Sequence, residues 1–251
     1  MTNKEALTKA YKILSPYSDD IWWEFDGNLI HLSIITKYAN KNNKIFDAGC
    51  GLGVLALSLK LLGYNIIGGD KYIYENGSDF AVNDMDRLQK IWNNYGLIVM
   101  SKDIIVDDLE DKYNVIISTA TLEHQKNPKQ FLDRLKYHLS DNGLIFIATP
   151  NQVHLLNRLR FLFGRSAFSS LKNFFESGDK FIGHWREYTI GELKNMFEWL
   201  DLDIIFAKSL QDTKPRIKIR NIRDIYINII RLISYLVPES GGVNIIIGRK
   251  K

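Results

Sequence analysis

The stretch KIFDAGCGLGVLAL, residues 44–57, places glycines at positions 49, 51 and 53, directly after a short apolar run that ends at Asp47. Apolar residues resume at once and run on with helical spacing. The pattern therefore reads as a strand, a tight turn and a helix. Glycine reaches positive φ without strain and lets a ligand approach bare backbone. The helix that follows offers free N–H groups and a partial positive charge at its start. A turn of this kind suits a carboxylate or a pyrophosphate. Asp70 closes the next apolar segment, NIIGGD, 21 residues after Gly49. A carboxylate there can accept hydrogen bonds from both hydroxyls of a ribose. The glycines alone leave two ligand classes open, because Gly51-Leu-Gly53-Val-Leu-Ala56 also fits the G-x-G-x-x-A dinucleotide fingerprint.

Working outward, the chain alternates strands and helices. Residues 3–14 and 28–41 read as N-terminal helices, KIFDAG as the first strand and 53–62 as a helix with Gly63 at its C-terminal cap. NIIGGD, LIVMSKD, NVIISTAT (114–121) and GLIFIATPN (143–151) read as further strands, with a helix over 77–94 between the first two of these. Asn127 and Pro128 open another helix as N-cap and first helical residue. Thr189 and Glu192 spell a capping box ahead of a helix over 190–200, and LDIIFAKSL and VNIIIGR supply the last strands. This order predicts an α/β fold, a doubly wound and mainly parallel sheet. A single domain over 1–251 is expected: N-terminal helices to residue 42, a cofactor-binding core over 43–151, a lid insertion over 152–188 and a second insertion over 211–242.

Bulk properties narrow the class. A hydrophobic content of 45% and a charged content of 25% are ordinary for a globular chain of 251 residues, long enough to bury a core without metal or disulfide staples. The lone cysteine, Cys50, allows no intrachain disulfide and points to a reducing, cytoplasmic location. No signal-peptide pattern opens the chain, and no apolar run is long enough to span a bilayer. The net charge of +4 is mild, and no nucleic-acid-binding module is evident.

KIFDAGCGLG resembles the first motif of the class I S-adenosylmethionine-dependent methyltransferases. The resemblance continues through Asp103-Ile104, NVIISTATLEH, GLIFIATPN and GHWREYTIGEL, and covers roughly residues 40–210. It implies a Rossmann-like sheet of seven strands with the last one antiparallel, which VNIIIGRK matches. It implies S-adenosyl-L-methionine as the cofactor. Asp47 and the backbone of Gly49, Gly51 and Gly53 would hold its methionine part, Asp70 the ribose, and Asp103 with Ile104 the adenine, while Thr119 would line the pocket near the sulfonium.

On the acceptor side the candidate bases are Glu123 and His124, just past the fourth strand; histidine has the right ordinary pKa for that work. His184 and Arg186, in the polar run before the capping box, are candidates for orienting an acceptor. Glu123, His124 and His184 also resemble three metal ligands of the small-RNA 3′-end methyltransferases, but Ala120 stands where the fourth would be, so no metal is expected. Trp22 and Trp23 read as packing for an N-terminal helix. Arg216, Lys218, Arg220 and Arg223 open a segment in which Ile222, Ile225, Ile229, Leu232 and Leu236 share one helical face. That face is expected to pack on the core or on a dimer partner, with peripheral membrane contact through 216–237 as the other reading. The function expected is methyl transfer to a hydroxyl of a small molecule or glycan. A nicotinamide-type oxidoreductase and a non-catalytic subunit that keeps the methyltransferase fold stay open.

Overall fold

The structure is a computed structural model; it describes residues 1–17, 24–71, 85–168, 171–178, 181–212 and 222–251. Trp22, Trp23, residues 77–84 of the expected helix, the side chains of Ile222 and Arg223, and Arg216, Lys218 and Arg220 lie outside the described residues.

The N-terminal helices are α1 (Asn3–Leu14) and α2 (Phe25–Tyr38). A capping box between Thr2 and Glu5 starts α1, satisfying two amide groups that the helix itself leaves without acceptors. The core then runs β1 (Lys44–Ala48), α3 (Val54–Leu61), β2 (Asn65–Asp70), α4 (Met85–Asn94), β3 (Ile98–Ser101), β4 (Tyr113–Thr119), α5 (Pro128–Tyr137) and β5 (Leu139–Pro150). After it come α6 (Leu155–Leu162), α7 (Leu171–Ser177), α8 (Ile190–Trp199), β6 (Leu202–Leu210), α9 (Ile222–Ser234) and β7 (Val243–Lys250). The caps fall where the sequence puts them. Asn127 accepts from the Gln130 N–H, and Thr189 and Glu192 close their box. Gly63 sits just past the end of α3 at φ 85°, and the bonds Gly63 N–H to Lys60 O and Tyr64 N–H to Leu59 O complete a Schellman ending.

The seven strands form one sheet in the order β3-β2-β1-β4-β5-β7-β6. All neighbours from β3 to β5 are parallel, and β7 runs antiparallel to both β5 and β6. The strand order reverses between β1 and β4, so their ends splay and open a crevice at the C-terminal edge of the sheet. Asp47, Asp70 and Thr119 all come to this edge. Alternate strand residues feed two apolar layers. Val115, Ile117, Phe146 and Ile245 pack towards α1, α2 and α3, while Ile116, Ile145, Ile147 and Ile246 pack towards α5 and α8.

Some local expectations move. The fourth strand stops at Thr119, two residues early, because Ala120 turns into the left-handed region at φ 52°. The fifth strand begins at Leu139, and the second N-terminal helix lies three residues earlier than its pattern suggests. The stretch after Asn151, which shows no strand pattern, holds the short helices α6 and α7. The apolar face of α9 is not packed on the core: Ile225 and Ile229 are exposed, Leu232 is 66% exposed, and Leu236, just beyond the helix, is 82% exposed. α9 instead meets α6, and the Arg158 guanidinium donates to the carbonyls of Pro238 and Glu239, so the two insertions join each other.

Candidate functional site

The glycine turn explains its own spacing. Gly49, Gly51 and Gly53 all have positive φ, at 78°, 52° and 78°. A Cβ at Gly49 would lie 2.4 Å from Thr121 Oγ1, so this glycine is required by the approach of the β4 loop as well as by its backbone. A Cβ at Gly51 would meet nothing within 4 Å among the described residues: the turn presents open space there, at the mouth of the crevice. The turn is held from below. The amides of Gly49 and Cys50 both donate to Gly69 O, and the Gly51 N–H donates to Asp70 Oδ2 at 2.7 Å. Asp70 thus braces the loop while it ends β2. Cys50 is half-buried, with its sulfur facing Gly68, and serves as a small wall residue.

Asp47 is buried at the end of β1, and its Oδ1 has no hydrogen-bond partner among the described residues. Burial, followed by the nearby Asp70 carboxylate, pushes its pKa up to about 8. Burial also raises Asp70, against the pull of the Gly51 and Lys71 amides. Two carboxyls crowded under an open turn are a place for a cationic or hydroxyl-bearing ligand. On the far wall, Asp103 Oδ2 meets Lys71 Nζ at 2.7 Å, and its Oδ1 accepts from the Ile105 N–H. Lys71 follows Asp70 directly, so this ion pair spans the rim between the β2 and β3 ends. Ile104 is half-buried beside the α5 layer, and its carbonyl accepts from Arg134 Nε.

A second polar cluster grows from the end of β4. Thr119 ends the strand, and residues Leu122–His124 form one 3-10 turn. Glu123 is fully buried: Oε2 accepts from Thr149 Oγ1 at 2.9 Å, Oε1 has no partner among the described residues, and burial raises its pKa. The Glu123 carbonyl accepts the backbone amides of both Trp185 and Arg186, which ties the 184–188 segment to the sheet edge. His124 and His184 thereby meet edge to face, with ring centroids 4.9 Å apart. His124 Nδ1 lies 2.9 Å from Ile182 O, and a carbonyl can only accept, so Nδ1 carries a proton. His184 Nδ1 lies 2.8 Å from Glu187 Oε1, a bond that is the leading cause of its raised pKa.

The structure therefore brings Glu123, His124 and His184 together, across 60 residues of chain. It does not bring Arg186 to them: that guanidinium reaches Glu192 and lies over the Tyr188 ring, bracing the capping box. Residues not singled out from the sequence join the cluster. Thr149 holds Glu123, Glu187 holds His184, and half-buried His154 lies close enough for the Glu187 charge to act on it. The Tyr188 hydroxyl is buried without a partner among the described residues, near Glu123. Only the position of Thr149 at a strand end, the edge where ligands collect, could have flagged this set.

A family profile described as "Methyltransferase domain" matches residues 28–205. Among curated proteins, the ubiquinone biosynthesis O-methyltransferase of Rickettsia prowazekii (strain Madrid E) is 30% identical over 180 residues, which is 64% of this chain and 64% of that protein. The mitochondrial protein of the same name from Dictyostelium discoideum is 31% identical over 137 residues, 51% of this chain and 40% of its own length. The chain thus spans less than two thirds of the curated relatives' length in these matches. Two solved structures share the fold. Magnesium protoporphyrin IX methyltransferase from Synechocystis PCC 6803, with bound SAH, superposes with a TM-score of 0.57 at 12% identity, over 91% of this chain and 85% of that one. The 1,6-didemethyltoxoflavin-N1-methyltransferase of Burkholderia thailandensis gives 0.59 at 14% identity, over 96% and 87%. At such identities the likeness is one of fold.

Proposed function

The chain belongs to the methyltransferase-domain family, and from that premise we propose that it transfers the methyl group of S-adenosylmethionine to a hydroxyl of a small molecule. The observation that carries the reading is the left-handed glycine turn, open above Gly51, with Asp47 beneath it and Asp70 beside it. These residues fit the cofactor. The unpartnered Asp47 oxygen suits its ammonium group, Asp70 suits the ribose, and Asp103 with Ile104 suits the adenine. When bound, S-adenosylmethionine supplies an electrophilic methyl group, and the chain's own work is to orient the acceptor and remove one proton. His124 can take that proton on Nε2, because Ile182 O fixes the tautomer. His184 faces it across the acceptor side, oriented by Glu187. Replacing His124 with Ala should cut turnover by about 10²–10⁴-fold and leave cofactor affinity nearly intact.

The curated relatives act in ubiquinone biosynthesis, so hydroxyl-bearing intermediates of that pathway lead the acceptor panel, with glycans second. Peripheral membrane contact through residues 216–237 belongs to the same proposal: the exposed Ile225, Ile229 and Leu232 and the basic residues before them suit an anionic surface, next to a lid that would admit a lipid-linked acceptor.

Titrating the purified chain with S-adenosylhomocysteine and, separately, NADH tests the cofactor. Heat of binding is expected with the first alone; binding of NADH alone would restore the oxidoreductase reading. Transfer of a labelled methyl group to an extract tests the reaction. A chain that binds S-adenosylhomocysteine yet labels nothing is a non-catalytic subunit.

A further inference from the structure

We propose that Asn151 and Asn244 are positioning residues, a pair of amides that locks the two insertions and the 184–188 segment into one body at the sheet edge and so sets the place of His184. Asn151 follows the end of β5, Asn244 is the second residue of β7, and both are fully buried. An amide at 244 runs against its surroundings. Val243, Ile245, Ile246 and Ile247 beside it are apolar, and asparagine is disfavoured within strands. A buried amide also lowers stability unless each of its polar atoms finds a partner.

Here each of them does, and the partners lie in separate segments. Asn151 Nδ2 donates to the carbonyls of Glu239 and Gly241, in the second insertion, at 2.8 Å each. Its Oδ1 accepts from the Val153 N–H, in the first insertion, and from Asn244 Nδ2, both at 3.2 Å. Asn244 Nδ2 donates again to the Tyr188 carbonyl at 2.8 Å, and Ser209 Oγ of β6 donates to Asn244 Oδ1. Both NH₂ groups thus face oxygens that can only accept, so neither amide can be turned over. The main chain repeats the pattern: the Asn151 N–H donates to Gly242 O, Gln152 to Tyr188 O and Leu155 to Ser240 O.

Neither insertion can shift without breaking bonds to the same two side chains, so the two move together. The hold reaches the polar cluster through the chain. Tyr188, gripped at its carbonyl by Asn244 and Gln152, follows Glu187, whose Oε1 lies 2.8 Å from His184 Nδ1. Buried networks in which every member is satisfied specify one arrangement and reject others. That the arrangement serves an acceptor rests on the methyl-transfer reading; the lock itself does not.

The test is amide hydrogen exchange on the full chain, read on peptides from α6, α9, residues 184–188 and α3, in the wild type, Asn151→Asp and Asn244→Val. Aspartate keeps the shape of Asn151 but sets acceptors against two carbonyls. Valine suits a buried strand and spares the fold, so it decides the matter if the aspartate variant unfolds. Each variant should speed exchange in α6, in α9 and at 184–188 by a common factor of about 10–100-fold, with α3 unchanged. Loosening of one insertion alone overturns the lock, as does exchange unchanged in both variants. A uniform rise that includes α3 in Asn244→Val marks a merely structural role and overturns it too. The proton resonance of the His184 ring, assigned by its loss in His184→Ala, should move in Asn244→Val; an unmoved resonance overturns the hold on His184. S-adenosylhomocysteine titration of the same samples keeps the two readings apart. A chain that binds no nucleoside loses the methyl-transfer reading, while its exchange pattern still decides the lock.

Discussion

At Asp47 the chain places a carboxyl in the core, next to a second one, and leaves one oxygen without a donor among the described residues. Its pKa in the folded chain, about 8, stands above the ordinary carboxylate value of about 4. The folded state therefore holds the proton more tightly than the unfolded one. This group's contribution to stability is complete below about pH 4 and is lost as pH rises towards 8. Asp47→Asn should flatten that slope, so its melting temperature should exceed the wild-type value at pH 8 and approach it at pH 5; parallel curves across the range would show that Asp47 is ionised throughout. A bound ammonium group works the other way, since it draws the proton off. Binding of S-adenosylhomocysteine near neutral pH should therefore release protons, seen as heats that vary with the buffer, and the same Asp47→Asn variant should lack the effect. Gly49 gives a steric counterpart. Its φ of 78° and the Thr121 hydroxyl 2.4 Å from a Cβ make Gly49→Ala doubly unfavourable, by about 1–3 kcal/mol in chemical denaturation. The glycine rhythm was legible because three positive-φ residues in one turn admit few other spellings. The contacts of Thr149, Glu187 and His154 were not, because they arise only when strand ends far apart in sequence are laid side by side.

The elements of the core were readable because each carries its own punctuation. Asn127 with Pro128, the Thr189–Glu192 box and Gly63 mark helix ends by chemistry that needs no tertiary context. Asn127→Ala should cost about 1 kcal/mol in denaturant melts and leave S-adenosylhomocysteine affinity unchanged, because α5 lies behind the sheet and away from the glycine turn. A loss of affinity would mean that α5 shapes the crevice. The insertions were harder to read. α6 and α7 are short, and Leu162, Phe163, Leu171 and Phe175 are exposed, so their apolar residues follow no buried stripe. In α9 a true helical stripe was visible, but a stripe tells that a face wants cover, not what covers it. Vesicle flotation tests the membrane answer: the wild type should float with anionic vesicles and not with neutral ones, and Ile229→Asp with Leu232→Asp should abolish it.

Across the whole molecule, the switch between β1 and β4 divides labour. Asp47, the glycines and Asp70 stand at the ends of β1 and β2, and Glu123 and His124 follow the end of β4, where His184 joins them. The mainly parallel sheet was legible from the alternation of strands and helices, whereas the antiparallel β7 was legible only through the resemblance to the class I methyltransferases. The two sides meet where Thr121 stands against Gly49 and donates to Ala48 O, and neither Asp47 nor His184 takes part in that contact. Substitutions at Asp47 and His184 should therefore act additively on S-adenosylhomocysteine affinity, within about 0.5 kcal/mol in a double-mutant cycle. One joint between the 184–188 segment and the sheet edge is pure main chain, one carbonyl at position 123 serving the amides of 185 and 186. Such a joint dictates shape but not spelling. Every amino acid brings the same amide to it except proline, which brings none. An engineer who wished to rewrite the segments that spring from this root could leave the root itself to the backbone.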